Sequence, residues 1–211
     1  MSTLDLEEQE QLAALKAWWQ RYGNLLVTVI TLALLALAGW NGWQWYQQSQ
    51  SIQAASLYEN LQKAARTNDA KAARDSAGAI LEQYPRTAYA SLAALVAAKV
   101  NFQAGDLKTA QAQLQWAVDN GRSDELKAIA RLRLAAVLID QGAFDEALKA
   151  IEPKPSAGFE SLYEVMRGDI YVSQKRLPEA KTAYQAALSR ADKRDRGLRD
   201  HIQLKLDALG A

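Results

Sequence analysis

The order of charged and apolar positions divides the chain into two unlike parts. Between Tyr22 and Tyr58 no side chain is charged, and the first half of that stretch, Leu25 to Trp40, is almost entirely apolar. A helix over residues 22–43 would be roughly 33 Å long at about 1.5 Å per residue, enough to cross a hydrocarbon core of about 30 Å. The pattern therefore predicts one membrane-spanning helix near the N-terminus.

Aromatic side chains gather at both ends of this predicted span. Five of the six tryptophans of the chain fall close to it, and such rings prefer the interface between membrane and water. A core helix of a soluble domain does not need an aromatic cluster at each end. We expect four residues to anchor the span at the two interfaces: Trp18, Trp19, Trp40 and Trp43.

The span is predicted to be an uncleaved signal anchor with its N-terminus in the cytoplasm. Ala36-Leu37-Ala38 resembles the small-residue pattern of a cleavage site, so a cleaved signal peptide is the alternative. The preceding segment is acidic rather than basic, however, and the apolar character continues beyond this motif. Lys16 and Arg21 precede the span and the next basic residue is Lys63, which favours the N-terminus inside.

Residues 1–21 are predicted to form a short cytoplasmic amphipathic segment. Ser2 and Thr3 can cap a helix there, and acidic residues crowd its first turns. Apolar side chains recur along one face at helical spacing. They are Leu12, Leu15, Trp19 and Tyr22. This stripe can lie on the membrane surface beside the anchor, or it can dock a cytoplasmic partner.

Residues 44–53 form a neutral, glutamine-rich neck after the span. The segment contains neither proline nor glycine, so it can continue the membrane helix outward. A low-complexity linker is the alternative. Apolar residues at Ile52 and Leu57 keep a helical stripe running into the next segment, which favours a helical neck.

The remaining residues, 54–211, have the composition of an all-α domain. Alanine is abundant, proline is limited to four residues in the chain, and the alternating Val/Ile/Thr runs of strands are missing. The chain has no cysteine, which excludes a disulfide framework and thiolate metal sites. The net charge is only +1 and no basic block stands alone, which argues against nucleic acid as a partner.

Internal repeats indicate how this domain is built. Four turn-like dipeptides recur at spacings of 37, 37 and 33 residues. They are Asn68-Asp69, Gly105-Asp106, Gly142-Ala143 and Lys175-Arg176. An alanine follows five residues after the start of each turn, at Ala73, Ala110, Ala147 and Ala180. A small residue there lets two helices approach closely, and each helix pair is too small to bury its apolar face alone, so we expect the pairs to stack.

This pattern resembles the tetratricopeptide repeat. The last unit matches that family's spacing best, at Gly168, Tyr171, Leu177, Ala180, Tyr184 and Ala187. The consensus tryptophan is absent from every unit, and Glu152-Pro153-Lys154-Pro155 cuts short the second helix of the third. Gly197 to Leu209 is predicted to be a closing helix. The predicted fold is all-α: a single N-terminal transmembrane helix, then an α-solenoid of about four tetratricopeptide-like helix pairs plus a C-terminal capping helix.

The layout of the whole chain resembles the YfgM family of bacterial inner-membrane proteins. The resemblance is carried by Trp18-Trp19, the Gly39-Trp40 to Trp43 exit from the span, Ala55-Ser56 with Tyr58, and the stretch from Leu126 to Ala135. It implies an ancillary subunit that associates with SecYEG, the Sec translocon, and with a membrane-anchored periplasmic chaperone of the prolyl-isomerase-like type. It also implies a periplasmic repeat domain that assists the handling of secreted or envelope proteins.

No motif in the chain indicates catalysis or a cofactor. The single histidine, His201, falls among charged residues of the predicted closing helix, where a surface position is expected. Neither a phosphate-binding loop nor zinc-ligand spacing occurs. An enzyme is therefore the weakest interpretation. The stronger alternative to a translocon subunit is a membrane-anchored scaffold for envelope assembly that is unrelated to secretion.

The tetratricopeptide register places a candidate groove on the first helices of the repeats. Leu95, Leu132 and Val165 fall at equivalent positions in successive units. This stripe can accept an apolar segment of an emerging polypeptide or of a partner protein, or it can pack the first helices on one another. The sequence leaves both interpretations open. The predicted groove residues are Tyr58, Gln62, Leu95, Lys99, Phe102, Gln103, Leu132, Ile139, Asp140, Val165, Asp169 and Ser173.

Overall fold

A computed structural model describes residues 6–210, and the regular structure within that range is entirely helical. Ser2 and Thr3, the predicted caps, lie outside the described residues. The helices are α1 Leu6–Arg66, α2 Ala70–Gln83, α3 Ala88–Gln103, α4 Leu107–Asn120, α5 Asp124–Asp140, α6 Phe144–Ala150, α7 Glu160–Ser173, α8 Leu177–Arg190 and α9 Arg196–Ala208. The chain divides into two compact units, Met1–Ser49 and Gln50–Ala211.

The first unit is an apolar helix with exposed side chains. From Leu25 to Trp43 nearly every side chain of α1 is exposed. Thr28 and Thr31 donate their hydroxyls to the carbonyl oxygens one turn back, both at 2.8 Å, so each hydroxyl is satisfied within the helix. Within the described part of the chain, Glu10–Arg66 is the stretch long and apolar enough to cross a membrane by length and composition.

The second unit consists of four helix pairs and a closing helix. The end of α1 pairs with α2, α3 with α4, α5 with α6, and α7 with α8, and α9 packs on α8. The structure therefore confirms the predicted all-α repeat array with its C-terminal cap.

The same turn closes all four pairs. The residue that leaves the first helix adopts a left-handed backbone with φ between 53° and 79° in every case. These residues are Asn68, Gly105, Gly142 and Lys175. The next amide donates to the carbonyl oxygen five residues back at 2.8–3.0 Å, which is the Schellman arrangement that satisfies carbonyls at a helix end. The four turns lie where the repeat spacing predicted them.

An alanine packs inside every helix pair. All four predicted positions, Ala73, Ala110, Ala147 and Ala180, have no exposed surface. A methyl group occupies little space between two backbones, so the paired helices can pack closely at these points. The residue four positions later is buried as well, at Ala77, Leu114, Ile151 and Tyr184. One face of each second helix thus packs against the first helix of the same pair.

Neighbouring pairs share their buried side chains. One cluster includes Leu61 and Ile80 and joins the first pair to α3. A second cluster runs from α3 to α7 and includes Leu114 and Leu138. A third includes Tyr184 and joins the last pair to α9. Since no pair encloses a core of its own, the predicted stacking is what holds the array together.

The second helix of the third pair is short. Helix α6 has only seven residues, as the Glu152–Pro155 segment predicted. Pro153 and Pro155 lack the amide hydrogen that would continue the helix, and the proline ring disfavours helical backbone before it. Ile151 nevertheless keeps only 1% of its surface exposed, so the segment after α6 still closes the core.

A polar network holds the C-terminal cap in place. The ammonium group of Lys205 on α9 and the hydroxyl of Tyr184 on α8 both donate to the Asp169 carboxylate on α7, each at 2.6 Å. Burial raises the pKa of Tyr184, and the neighbouring Asp169 carboxylate raises it further. The phenol therefore stays protonated at ordinary pH and keeps donating. The apolar face of α9 is buried at Ile202 and Leu206.

We predict that the turns respond to substitution according to their backbone. Lys175 is an L-residue without a local side-chain bond that favours the left-handed region, so Lys175→Gly should raise the free energy of unfolding by about 1 kcal/mol. Gly105→Ala and Gly142→Ala should lower it by about 1–2 kcal/mol. Asn68→Gly is the control, since asparagine tolerates this region. Urea denaturation of the full chain measures the stability of residues 50–211 in all four variants. A Gly105→Ala variant as stable as the parent would contradict the left-handed turn at Gly105.

A second prediction concerns Gly168, where α7 meets Tyr184. A Cβ placed at Gly168 would lie 2.3 Å from the Tyr184 ring, so Gly168→Ala should overpack the last pair and cost about 1–3 kcal/mol. Gly78 is the matched control, because it is also helical and a Cβ there meets no atom within 4 Å. Gly78→Ala should stabilise the protein by about 0.5–1 kcal/mol. A thermal melt in which both variants shift in the same direction would refute this packing.

Candidate functional site

An apolar pocket lies between the first helices of the second and third pairs. It has a volume of about 310 Å³. Helices α3 and α5 form its walls, and Leu114 of α4 closes its floor. The lining residues are Ala98, Lys99, Phe102, Leu114, Arg133, Ala136 and Val137. Two of the wall residues are alanines, so the gap exists because both helices present small side chains there.

The rim of the pocket combines one aromatic ring with two cations. Phe102 keeps 39% of its surface exposed. Lys99 and Arg133 are exposed, and Arg133 donates from Nη1 to the backbone oxygen of Leu95 at 3.4 Å. This contact directs the guanidinium across the opening toward α3. The arrangement can accept an apolar side chain inside and an anionic group at the edge.

The structure brings together only part of the predicted groove. Lys99 and Phe102 line the pocket, and Leu95 supplies the backbone oxygen beside it. The side chains of Leu95 and Val165 are 5% and 8% exposed, and each belongs to a buried cluster. Their burial favours the packing interpretation at these two positions. Leu132 and Ile139 are half-buried against the middle cluster.

The other predicted groove residues are scattered or already engaged. Asp169 accepts hydrogen bonds from Tyr184 and Lys205, and the Ser173 hydroxyl donates to the Asp169 carbonyl within the same helix. The Tyr58 ring packs on Tyr89, with centroids 5.6 Å apart. Three further residues are exposed on their helices away from this pocket lining: Gln62, Gln103 and Asp140. As a binding surface, the complete set remains a prediction.

The four predicted anchor residues lie on α1. Trp18, Trp19, Trp40 and Trp43 are 45–64% exposed. Trp18 packs near Tyr22 with ring centroids 5.8 Å apart, and Trp43 packs near Tyr46 at 6.2 Å. Aromatic rings are therefore available at both ends of the apolar stretch.

A second cavity, of about 300 Å³, lies beside the short α6 and the segment that follows it. Glu164 lies there with only 6% of its surface exposed. It accepts a hydrogen bond from Arg167 at 2.7 Å and another from Arg190. Its charge is compensated by these arginines, while the buried hydroxyl of Tyr163 on the same lining has no hydrogen-bond partner among the described residues. The apolar pocket, whose two cations form no salt bridge with the described side chains, is the better candidate site.

Comparison with known proteins agrees with this architecture over nearly the whole chain. Residues 16–211 match the family model of the tetratricopeptide repeat-like domain. A protein of Neisseria gonorrhoeae named "Ancillary SecYEG translocon subunit" is 32% identical over 97% of this chain and 98% of its own. The chain belongs to the YfgM family. Proteins with the same name from Aggregatibacter actinomycetemcomitans and Haemophilus influenzae are 30% and 29% identical, over 97% and 86% of this chain and 98% and 89% of their own.

In this YfgM family member, sequence reasoning missed Arg133 and Ala136 as site residues. The register was correct, since Lys99 and Ala136 occupy the same position in successive pairs. Neither residue belongs to an apolar stripe, because Arg133 is charged and Ala136 is small, so the pattern of large apolar residues did not predict them. A usable signal was present: Arg133 stands where the neighbouring pairs carry Val96 and Met166. Arg133 therefore replaces the apolar side chain found at this position in the pairs on either side.

Proposed function

We propose that this YfgM family protein is a non-enzymatic, membrane-anchored interaction subunit associated with the Sec translocon. The observation that carries the proposal is the similarity to relatives named as ancillary SecYEG subunits, which extends over 97% of the chain in two of them. The similarity thus includes both the apolar helix and the repeats, the two parts that such a role requires. A repeat array without an internal core per unit offers an extended surface for polypeptide partners.

The proposed arrangement places residues 1–21 and residues 54–211 on different sides of the inner membrane. Residues 22–43 cross the bilayer, residues 1–21 lie in the cytoplasm, residues 44–53 form the neck and residues 54–211 lie in the periplasm. Lys16 and Arg21 support this orientation through the positive-inside rule. The exposed apolar side chains of α1 support its contact with lipid.

The proposed activity is the holding of polypeptide segments near the translocon exit. The pocket between α3 and α5 would receive an apolar side chain of an emerging secreted or envelope protein. Another surface of the array would contact a membrane-anchored periplasmic chaperone of the prolyl-isomerase-like type. Neither task requires a nucleophile, a metal or a cofactor.

The proposed topology makes a direct prediction for cysteine labelling. The chain has no native cysteine, so Lys16→Cys and Lys71→Cys each introduce a single thiol at an exposed position. A membrane-impermeant maleimide should label Lys71→Cys in intact spheroplasts and Lys16→Cys only after lysis. Leu34→Cys, within the span, should resist labelling in both states. Labelling of Lys16→Cys in intact spheroplasts would reverse the orientation.

Association with the translocon predicts the proteins recovered from native membranes. A tagged chain extracted in mild detergent should retain SecYEG subunits and an anchored envelope chaperone, and an unrelated single-span protein at the same level should not. Quantitative mass spectrometry of the two eluates provides the comparison. Recovery of other envelope assembly proteins without SecYEG would favour the scaffold alternative and contradict the proposal.

A further inference from the structure

We propose that the pocket between α3 and α5 selects polypeptide segments in which a large apolar side chain lies next to an Asp or Glu side chain. This inference rests on the proposed function and deepens it, because it names the chemistry of the bound segment. Lys99 and Arg133 would hold the carboxylate, while Phe102, Leu114 and Val137 would contact the apolar group.

The gap between α3 and α5 lacks the apolar side chain that the second and fourth pairs carry at the equivalent position. Nine residues before each left-handed turn residue, the second, third and fourth pairs carry Val96, Arg133 and Met166. Val96 packs against the cluster of the preceding pair, and Met166 packs against the middle cluster. Arg133 instead extends to the rim and bonds to Leu95. The position that packs an apolar side chain in the second and fourth pairs is therefore left open in the third.

The rim of the pocket is positively charged. Lys99 and Arg133 are the cations that line the pocket, and no Asp or Glu of the described residues lines it with them. Neither takes part in a salt bridge formed by the described side chains. At the position of Lys99, the neighbouring pairs carry Gln62, Ala136 and Asp169, so the positive pair is specific to this gap. An anionic group would find two uncompensated donors there.

The volume of the pocket limits the size of the group that it can hold. A volume of about 310 Å³ lies at the low end of ligand pockets, which hold about 300–1,000 Å³. It suits one large side chain and not a whole helix. An emerging polypeptide presents internal segments, so the carboxylate that accompanies this side chain comes from Asp or Glu and not from a chain terminus. The occupant is therefore an extended segment with the two residue types adjacent.

The test compares short fluorescent peptides binding to the full chain in nanodiscs. One peptide carries Phe beside Asp in a neutral background, a second replaces Asp by Asn, and a third replaces Phe by Ala. Fluorescence anisotropy should show the tightest binding for the first peptide, and added salt should weaken that preference as it screens the charges. A fourth peptide, with Asn and a free C-terminal carboxylate beside Phe, tests the other source of the anion.

Two variants and one control assign the effect to the pocket. Lys99→Glu should weaken binding of the Phe-Asp peptide by about three- to tenfold, as expected for loss and reversal of one exposed ion pair, and leave the Phe-Asn peptide largely unchanged. Arg133→Met, which installs the residue of the fourth pair, should weaken both peptides by filling the gap. Lys181→Glu is the matched control, since Lys181 is equally exposed but lies on α8.

The inference is overturned if Phe-Asp and Phe-Asn peptides bind equally, if Lys99→Glu and Lys181→Glu have the same effect, or if only the free C-terminal carboxylate is preferred. Failure of the proposed function is distinguishable from these outcomes. The same nanodisc preparations report whether SecYEG is retained by the chain. Retained SecYEG without peptide selectivity contradicts this inference alone, and loss of SecYEG contradicts the proposed function.

Discussion

The repeat array depends on close packing at four alanines, one inside each helix pair. Isolated helices shorter than about 12–15 residues are marginal in water, and α2, α4 and α8 have 14 residues each. They persist because a methyl group at the contact lets each lie tightly on its first helix. The remaining apolar faces are buried only by the next pair, which makes stacking a condition of folding.

The proposed binding chemistry follows from a gap in that stacking between α3 and α5. Where Val96 and Met166 stand, neighbouring pairs are sealed by apolar contact. At Arg133 the same position holds a charge that stays at the surface, and the alanines at 98 and 136 cannot close the gap. Arg133 and the two alanines together thus account for the cavity, and Arg133 supplies half of its positive rim. The repeat array provides a stiff framework, and the proposed site forms where Arg133 departs from the repeat pattern.

The local features of this fold were accessible from sequence, because they depend on short spacings. The left-handed turns at Gly105 and Lys175 and the buried alanines are set by residues within one helix pair. The burial and contacts of the predicted groove residues could not be predicted from sequence, because they depend on how neighbouring helix pairs pack. The Leu95 side chain is buried. Asp169 accepts a hydrogen bond from Lys205, 36 residues away on another helix. Arg133 became a candidate site residue only because a cavity lies beside it.

Photo-crosslinking to a translocating chain shows whether the pocket between α3 and α5 receives polypeptide segments. A photoreactive residue at Phe102 would be placed in native membranes that contain a secretory polypeptide stalled in the translocon, with the same probe at Lys181 for comparison. The account predicts a crosslink from position 102 to the stalled polypeptide, enriched at apolar residues next to carboxylates, and little from position 181. Equal crosslinking from both positions, or none from position 102, would contradict it.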